Sequence, residues 1–145
     1  MPYEIKLVEN PDAKEVQILN QGIMDYAKQV KGFGPIRFFG FFVHDESNQV
    51  VGGCQCDMLY GCLYIGSLWV SESLRGQRYG TKLMQSAENL AKEQDCNFIA
   101  VNTMNWEALE FYKNMGFYVE FVRHGFIGDS IFYFLRKDLN SNTPT

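Results

Sequence analysis

Two stretches of this chain carry residue types at spacings that do chemistry. The first runs Leu68-Trp69-Val70-Ser71-Glu72-Ser73-Leu74-Arg75-Gly76-Gln77-Arg78-Tyr79-Gly80-Thr81-Lys82-Leu83-Met84. It reads as an apolar strand, a short polar loop with two glycines, and the start of a helix. That order sets unpaired backbone N–H groups at a helix N-terminus, where the orphan donors and the helix dipole both favour negative charge. A phosphate-bearing ligand is the chemistry implied. Neither G-x-G-x-x-G nor G-x-x-x-x-G-K-[ST] is present, so the loop is no dinucleotide fingerprint and no P-loop. The helix is expected from about Thr81 to Gln94, with Leu83, Met84, Ala87, Leu90 and Ala91 on one face.

The second stretch is Asn105-Trp106-Glu107-Ala108-Leu109-Glu110-Phe111-Tyr112-Lys113-Asn114-Met115-Gly116-Phe117. Asn105 is a good N-cap, because its side-chain oxygen accepts from an N–H of the first turn. Ala108, Leu109, Phe111, Tyr112 and Met115 line one broad face, and Gly116 is a natural left-handed stop. The first stretch, as Arg75-Gly76-x-x-x-Gly80, resembles the R/Q-x-x-G-x-G/A signature of the GNAT superfamily of N-acetyltransferases. It departs from that signature at Arg78, which stands at the middle glycine. The second stretch is similar to the family pattern N-x-x-A-x-x-F-Y-x-x-x-G-F. Together they span roughly Leu63 to Phe121.

The resemblance implies acetyl-CoA as cosubstrate, with no metal. It implies that Leu68, Trp69 and Val70 lie along the pantetheine arm and offer an N–H to the acetyl carbonyl. Arg75, Gly76, Gln77, Arg78, Tyr79, Gly80 and Thr81 would hold the pyrophosphate, and Asn105 would touch the cofactor. Acyl transfer to an amine needs an acceptor for the amine proton, a donor for the developing oxyanion and a proton for the leaving thiolate. Tyr112 is the general acid of choice, since a phenol with pKa about 10 stays protonated at neutral pH. Tyr112 would also touch the cofactor.

Related enzymes often carry the base on the strand before the phosphate loop or before the Asn helix. Here those segments, 64–69 and 98–103, contain no Asp or Glu. Asp57 is the substitute selected. It shares a strand face with Gln55 and Leu59, while Cys54, Cys56 and Met58 take the other. Glu72, His124 and an ordered water are alternatives. No cysteine occupies a motif position, so transfer is expected to be direct, within a ternary complex. A second reading is a catalytically weak acyl-CoA-binding sensor, and a third is an unrelated α/β phosphate binder.

A chain of 145 residues fits one domain, expected over 1–139 with a polar tail at 140–145. Hydrophobic residues at 46% and charged residues at 21% fit a soluble globular class. The net charge of −4 and the lack of a polybasic cluster argue against nucleic acid and mildly favour a cationic amine. No apolar run is long enough for a membrane helix, and the N-terminus is not basic-then-apolar, so a cytoplasmic location is expected. Cys54-Gln55-Cys56, Cys62 and Cys96 lack paired C-x-x-C spacing, and only His44 and His124 could join them as ligands. Reduced buried thiols are the reading. The amine, small molecule or protein, stays open, and a homodimer is compatible with the sequence.

The positioning elements follow from periodicity. Tyr3 to Val8 alternates like a strand. Asn10-Pro11-Asp12 opens a helix to about Val30, and Lys31 to Pro35 breaks it. By resemblance, this helix and the loop after it form a wall of the substrate site, with Phe33 and Arg37 as candidates. Strands follow at Ile36–His44, at Gln49–Tyr60 with a bulge or bend at Gly52-Gly53, at Leu63–Val70 and at Asn97–Thr103. A closing hairpin spans Phe117–His124 and Ile131–Lys137. The order β-α-β-β-β-α-β-α-β-β implies an α/β fold: a mixed, mostly antiparallel GNAT-like sheet flanked by helices.

Overall fold

The computed structural model describes residues 2–139, and the expected tail at 140–145 lies outside them. The chain forms two compact units, one ending at Ile36 and one starting at Arg37. The first unit is built on helix α1, Ala13–Lys31. Asp12 caps it by accepting from the Lys14 N–H at 3.0 Å, and Gly32 closes it at φ 71 with its N–H on the Lys28 carbonyl. The strand expected at Tyr3–Val8 is not formed. Alternation supplies two faces, but a ladder needs a partner, and the described residues of this unit contain no other strand.

The second unit is a six-stranded mixed sheet. Its strands are β1 (Arg37–His44), β2 (Val50–Leu59), β3 (Cys62–Val70), β4 (Phe98–Met104), β5 (Tyr118–Arg123) and β6 (Phe132–Asp138), in the order β1-β2-β3-β4-β6-β5. All pairings are antiparallel except β3 with β4. The parallel step exists because helix α2, Tyr79–Glu93, carries the chain back from β3 to β4. Helix α3, Leu109–Asn114, joins β4 to the closing hairpin.

Local chemistry sets the turns. Asp45 Oδ1 accepts from the N–H groups of Ser47 and Gln49, closing the β1–β2 hairpin. Tyr60 and Gly61, at φ 50 and 86, make the two-residue β2–β3 turn. The extra residues that bend the sheet are Val51, next to the expected Gly52-Gly53 site, and Gly66. Gly53 itself stays in the ladder, and a Cβ there would meet the Phe41 carbonyl oxygen at 2.8 Å, so the position needs glycine.

One face of the sheet carries the core. Cys54, Cys56, Leu63, Ile65, Ile99, Val101 and Leu135 pack with Leu83, Met84, Ala87 and Ala91 of α2 and with Tyr112 and Phe117; Leu90, the fifth member of the predicted stripe, is partly buried against them. All four cysteines are free thiols, with Cys54, Cys56 and Cys96 buried. Leu63 has no solvent exposure. Leu63→Ala should lower the unfolding free energy by about 3 kcal/mol in urea titration, through lost burial and the cavity left behind. A loss under about 1 kcal/mol would show that the core collapses around the gap.

Candidate active site

β3 and β4 pair from Cys62–Phe98 to Ile65–Val101 and then part. Beyond Ile65, β3 keeps its ladder with β2 on one edge, while its other edge, from Gly66 to Val70, has no strand partner. Gly66 is the extra residue that turns the strand away, and a Cβ there would collide with the Gln55 amide. The parting leaves a cleft of about 670 Å³. Gly66 to Val70 form one wall, Val101 to Thr103 the other, and Glu107, Ala108, Phe111 and Tyr112 close the end. A hollow of about 450 Å³ shares Val70, Arg75, Gly80 and Phe111 with the cleft and extends it to the start of α2.

The α2 N-terminus presents donors suited to an anion. Its N-cap is Arg78, a donor-only side chain that makes no capping bond, and no acid occupies the first turn. The first-turn N–H groups, including those of Gly80 and Thr81, have no intrahelical acceptors. Gly76, at φ 82, faces open space, and Arg75 Nε holds the loop to the Val70 carbonyl at 3.4 Å. Arg78 sits at φ 66, the left-handed conformation glycine adopts without cost. The fold therefore places Arg78 where a glycine's backbone is required, which explains the departure in the motif as strain and not as a shifted loop. Arg78→Gly should raise the melting temperature by a few degrees. Relief of about 1–2 kcal/mol outweighs glycine's extra unfolded-state freedom of about 0.5–1 kcal/mol. A fall on thermal unfolding would mean that the Arg78 side chain stabilises the loop.

Leu68, Trp69, Val70, Arg75 and Gly80 line the cleft, and Gly76, Arg78, Tyr79 and Thr81 line its extension. Gln77 lines neither; its amide donates to the Ser73 carbonyl. Asn105 is not the cap of α3, which begins at Leu109 after Ala108. The Ala108 N–H goes instead to Thr103 Oγ1, and Asn105 Oδ1 accepts from the Ile131 N–H at the entry to β6. The ladder to β6 thus claims the amide before the helix can. Gly116 does stop α3, at φ 96, with the Phe117 N–H on the Tyr112 carbonyl and the Gly116 N–H on Lys113.

Tyr112 is 5% exposed and packs edge-on between Phe111 and Phe117. Its hydroxyl makes no hydrogen bond within the described residues, yet no fully buried side-chain oxygen lacks a partner, so the hydroxyl opens onto the cleft. Burial, reinforced by Cys54 and Glu107, pushes its pKa above the ordinary phenol range. Glu107 is a residue the sequence reading missed. It lines the cleft and accepts from the Met104 N–H at 2.9 Å. A carboxylate five residues before Tyr112 was the available signal.

Asp57 lies on the sheet face opposite the thiols, as alternation predicted, and outside the cleft lining. It accepts from Gln55 Nε2 at 2.6 Å and is in register with Tyr64, whose hydroxyl accepts from Asn102 on the cleft wall. Arg37 is on the core face, bonded to Gln94 Oε1 and stacked on Phe39, so it forms no substrate wall in its own unit. Phe33 belongs to the first unit.

A mixed sheet that parts at a parallel pair, with uncapped first-turn N–H groups at the opening, is an arrangement that can take a phosphate-bearing ligand along a strand edge. The Acetyltransferase (GNAT) family model matches residues 14–117, and the chain belongs to that family. It is 30% identical over 106 residues to an acetyltransferase of Agrobacterium fabrum strain C58, covering 73% of this chain and 77% of that one. A solved structure described as an acetyltransferase from Agrobacterium tumefaciens superposes with a TM-score of 0.81 at 26% identity, over 94% of this chain and 99% of that one. A structure from Bacillus anthracis described as a streptothricin acetyltransferase, in complex with acetyl coenzyme A, gives a TM-score of 0.64 at 21% identity. That match covers 74% of this chain and 65% of the other.

Proposed function

We propose that this chain is an acetyl-CoA-dependent N-acetyltransferase that moves an acetyl group directly to a primary amine within a ternary complex. The observation that carries the reading is the continuous groove from the uncapped start of α2, along the open edge of β3, to the Tyr112 hydroxyl. Bound acetyl-CoA supplies the acyl group as a thioester. The backbone N–H groups from Gly76 to Thr81 hold its pyrophosphate, with Arg75 and Arg78 adding charge. The β3 edge from Leu68 to Val70 aligns the pantetheine arm and presents an N–H toward the acetyl oxygen.

The amine enters from the face of the sheet that carries Asp57. The amine gives its ammonium proton to solvent before attack; as the C–N bond forms and the C–S bond breaks, Asp57 takes the second proton through water and Tyr112 gives its proton to the departing thiolate, after which solvent returns a proton to Tyr112 and takes one from Asp57. Burial, with a smaller push from Cys54 and Glu107, favours the protonated phenol. Asn105 acts on the cofactor side by fixing the loop before α3. No helix of the described residues is long and apolar enough to cross a membrane, and a cytoplasmic setting would supply the cofactor. A thiol-release assay over a panel of primary amines tests the reading. Amine-dependent release above the cofactor-only rate supports it. Release unaffected by any amine, despite bound acetyl-CoA, would reduce the chain to a cofactor-binding module.

A further inference from the structure

The face that carries Asp57 has a second hollow, which adjoins the thioester groove. In-register partners share a sheet face, so three rungs can be read directly: Phe42-Gly53-Trp69, Gly40-Gln55-Ser67 and Phe38-Asp57-Tyr64. Gly53 leaves the centre of the first rung without a side chain, and Gly40 leaves the β1 end of the second bare. The Phe42 ring covers them, since a Cβ at Gly40 or Gly53 would come within 2.6 or 3.0 Å of its carbons. Between Phe42 and Trp69 a hollow of about 170 Å³ remains, floored by Gly52 and Gly53 and ended by Gln55 and Ser67. Ser67 and Trp69 also line the main cleft, so the two spaces meet at β3.

Asp57 is the one charged side chain in the three rungs. Its side chain lines neither the hollow nor the cleft; among the described residues it receives one hydrogen bond, from Gln55, which does line the hollow and links the two. An ionised carboxylate has about four acceptor positions. Most of Asp57's capacity is therefore open to a cation, beside aromatic rings that also attract one.

We infer that this hollow is the acceptor subsite, and that it takes a monocationic primary amine carrying a compact apolar body. The apolar body lies between Phe42 and Trp69, and the nitrogen lies toward Gln55 and Asp57, at the junction with the thioester groove. One carboxylate balances one ammonium, so a polyamine leaves its further charges uncompensated. This inference rests on the acetyltransferase reading, because the nitrogen needs the thioester at the junction.

Calorimetry on the chain saturated with free CoA separates the two. CoA binding is measured first. Phenethylamine, ethanolamine, spermidine and 2-phenylethanol are then titrated in turn. Phenethylamine should bind at least about tenfold tighter than each of the other three. Phe42→Ala should lose about tenfold in phenethylamine affinity with CoA affinity unchanged, and Asp57→Asn should erase the preference over 2-phenylethanol. The unchanged CoA affinity reports that each variant is folded. Normal CoA binding with phenethylamine no tighter than ethanolamine or spermidine overturns the inference alone. So does a Phe42→Ala chain that keeps both affinities. Failure of the wild-type chain to bind CoA overturns the acetyltransferase reading, and this inference with it.

Discussion

Tyr112→Phe should lower kcat by about 10²–10³-fold while leaving acetyl-CoA affinity within about twofold of wild type. The substitution removes one oxygen from a ring whose packing is otherwise complete. Phe111 and Phe117 hold the ring edge-on, with centroids at 5.2 and 5.7 Å, and those contacts do not involve the hydroxyl. The hydroxyl bonds to nothing in the described protein, so its loss leaves no buried partner unsatisfied. Stability should therefore hold, and the whole effect should fall on turnover.

The pH dependence gives a second readout. Burial, then the neighbouring Cys54 and Glu107, raise the Tyr112 pKa. A raised phenol favours the neutral form in the fold. Its contribution to stability is complete below the ordinary phenol value of about 10 and is lost as pH rises through the folded value. Wild-type kcat should accordingly show no alkaline decline from this group below about pH 10. If Tyr112→Phe lowers affinity and melting temperature together and spares kcat, the residue is a packing tyrosine.

Arg78→Asp should weaken acetyl-CoA binding by about 30–100-fold, with little effect on kcat at saturation. The change places an anion at the N-cap of α2, where the first-turn donors have no protein acceptor. A cation beside the pyrophosphate is exchanged for a carboxylate that repels it and competes for the same N–H groups. Charge-assisted hydrogen bonds of this kind are worth about 1.5–3 kcal/mol. The helix itself should not suffer, since a negative charge at its start complements the dipole and aspartate tolerates the left-handed backbone of φ 66. Isothermal titration with thermal unfolding on the same preparation checks both halves. Unchanged affinity would mean that the guanidinium points away from the phosphates and that backbone donors alone hold them. Together the two variants divide the groove, with rate lost at the Tyr112 end and affinity lost at the Arg78 end.

The sequence made the helices and most strands legible because their signals are local. The stripe Leu83, Met84, Ala87 and Ala91 needs only a 3.6-residue period, and it is the buried face of α2. Alternation along β2 separated Cys54 and Cys56 from Gln55 and Asp57, and the sheet keeps that division. The failures all depend on distant partners. Tyr3–Val8 has a strand's pattern but no ladder within its unit. Asn105 has the chemistry of a cap, yet Ile131, 26 residues away, takes its oxygen. Arg37 is a wall candidate by position alone, and its guanidinium goes to Gln94, 57 residues away. Glu107 escaped notice because its place in the cleft follows from the turn between β4 and α3, which no short motif encodes. The parting of β3 from β4 begins at Gly66, the unpaired residue of the β2–β3 bulge, a register event that composition cannot show.

The most direct test of the groove is calorimetric titration of the wild-type chain with acetyl-CoA, beside free CoA and ATP. One-to-one binding of both CoA species in the micromolar range, with ATP at least about tenfold weaker, is the predicted result. Binding of ATP as tight as acetyl-CoA, or no binding of either CoA species, would contradict the assignment of the groove to an acyl-CoA.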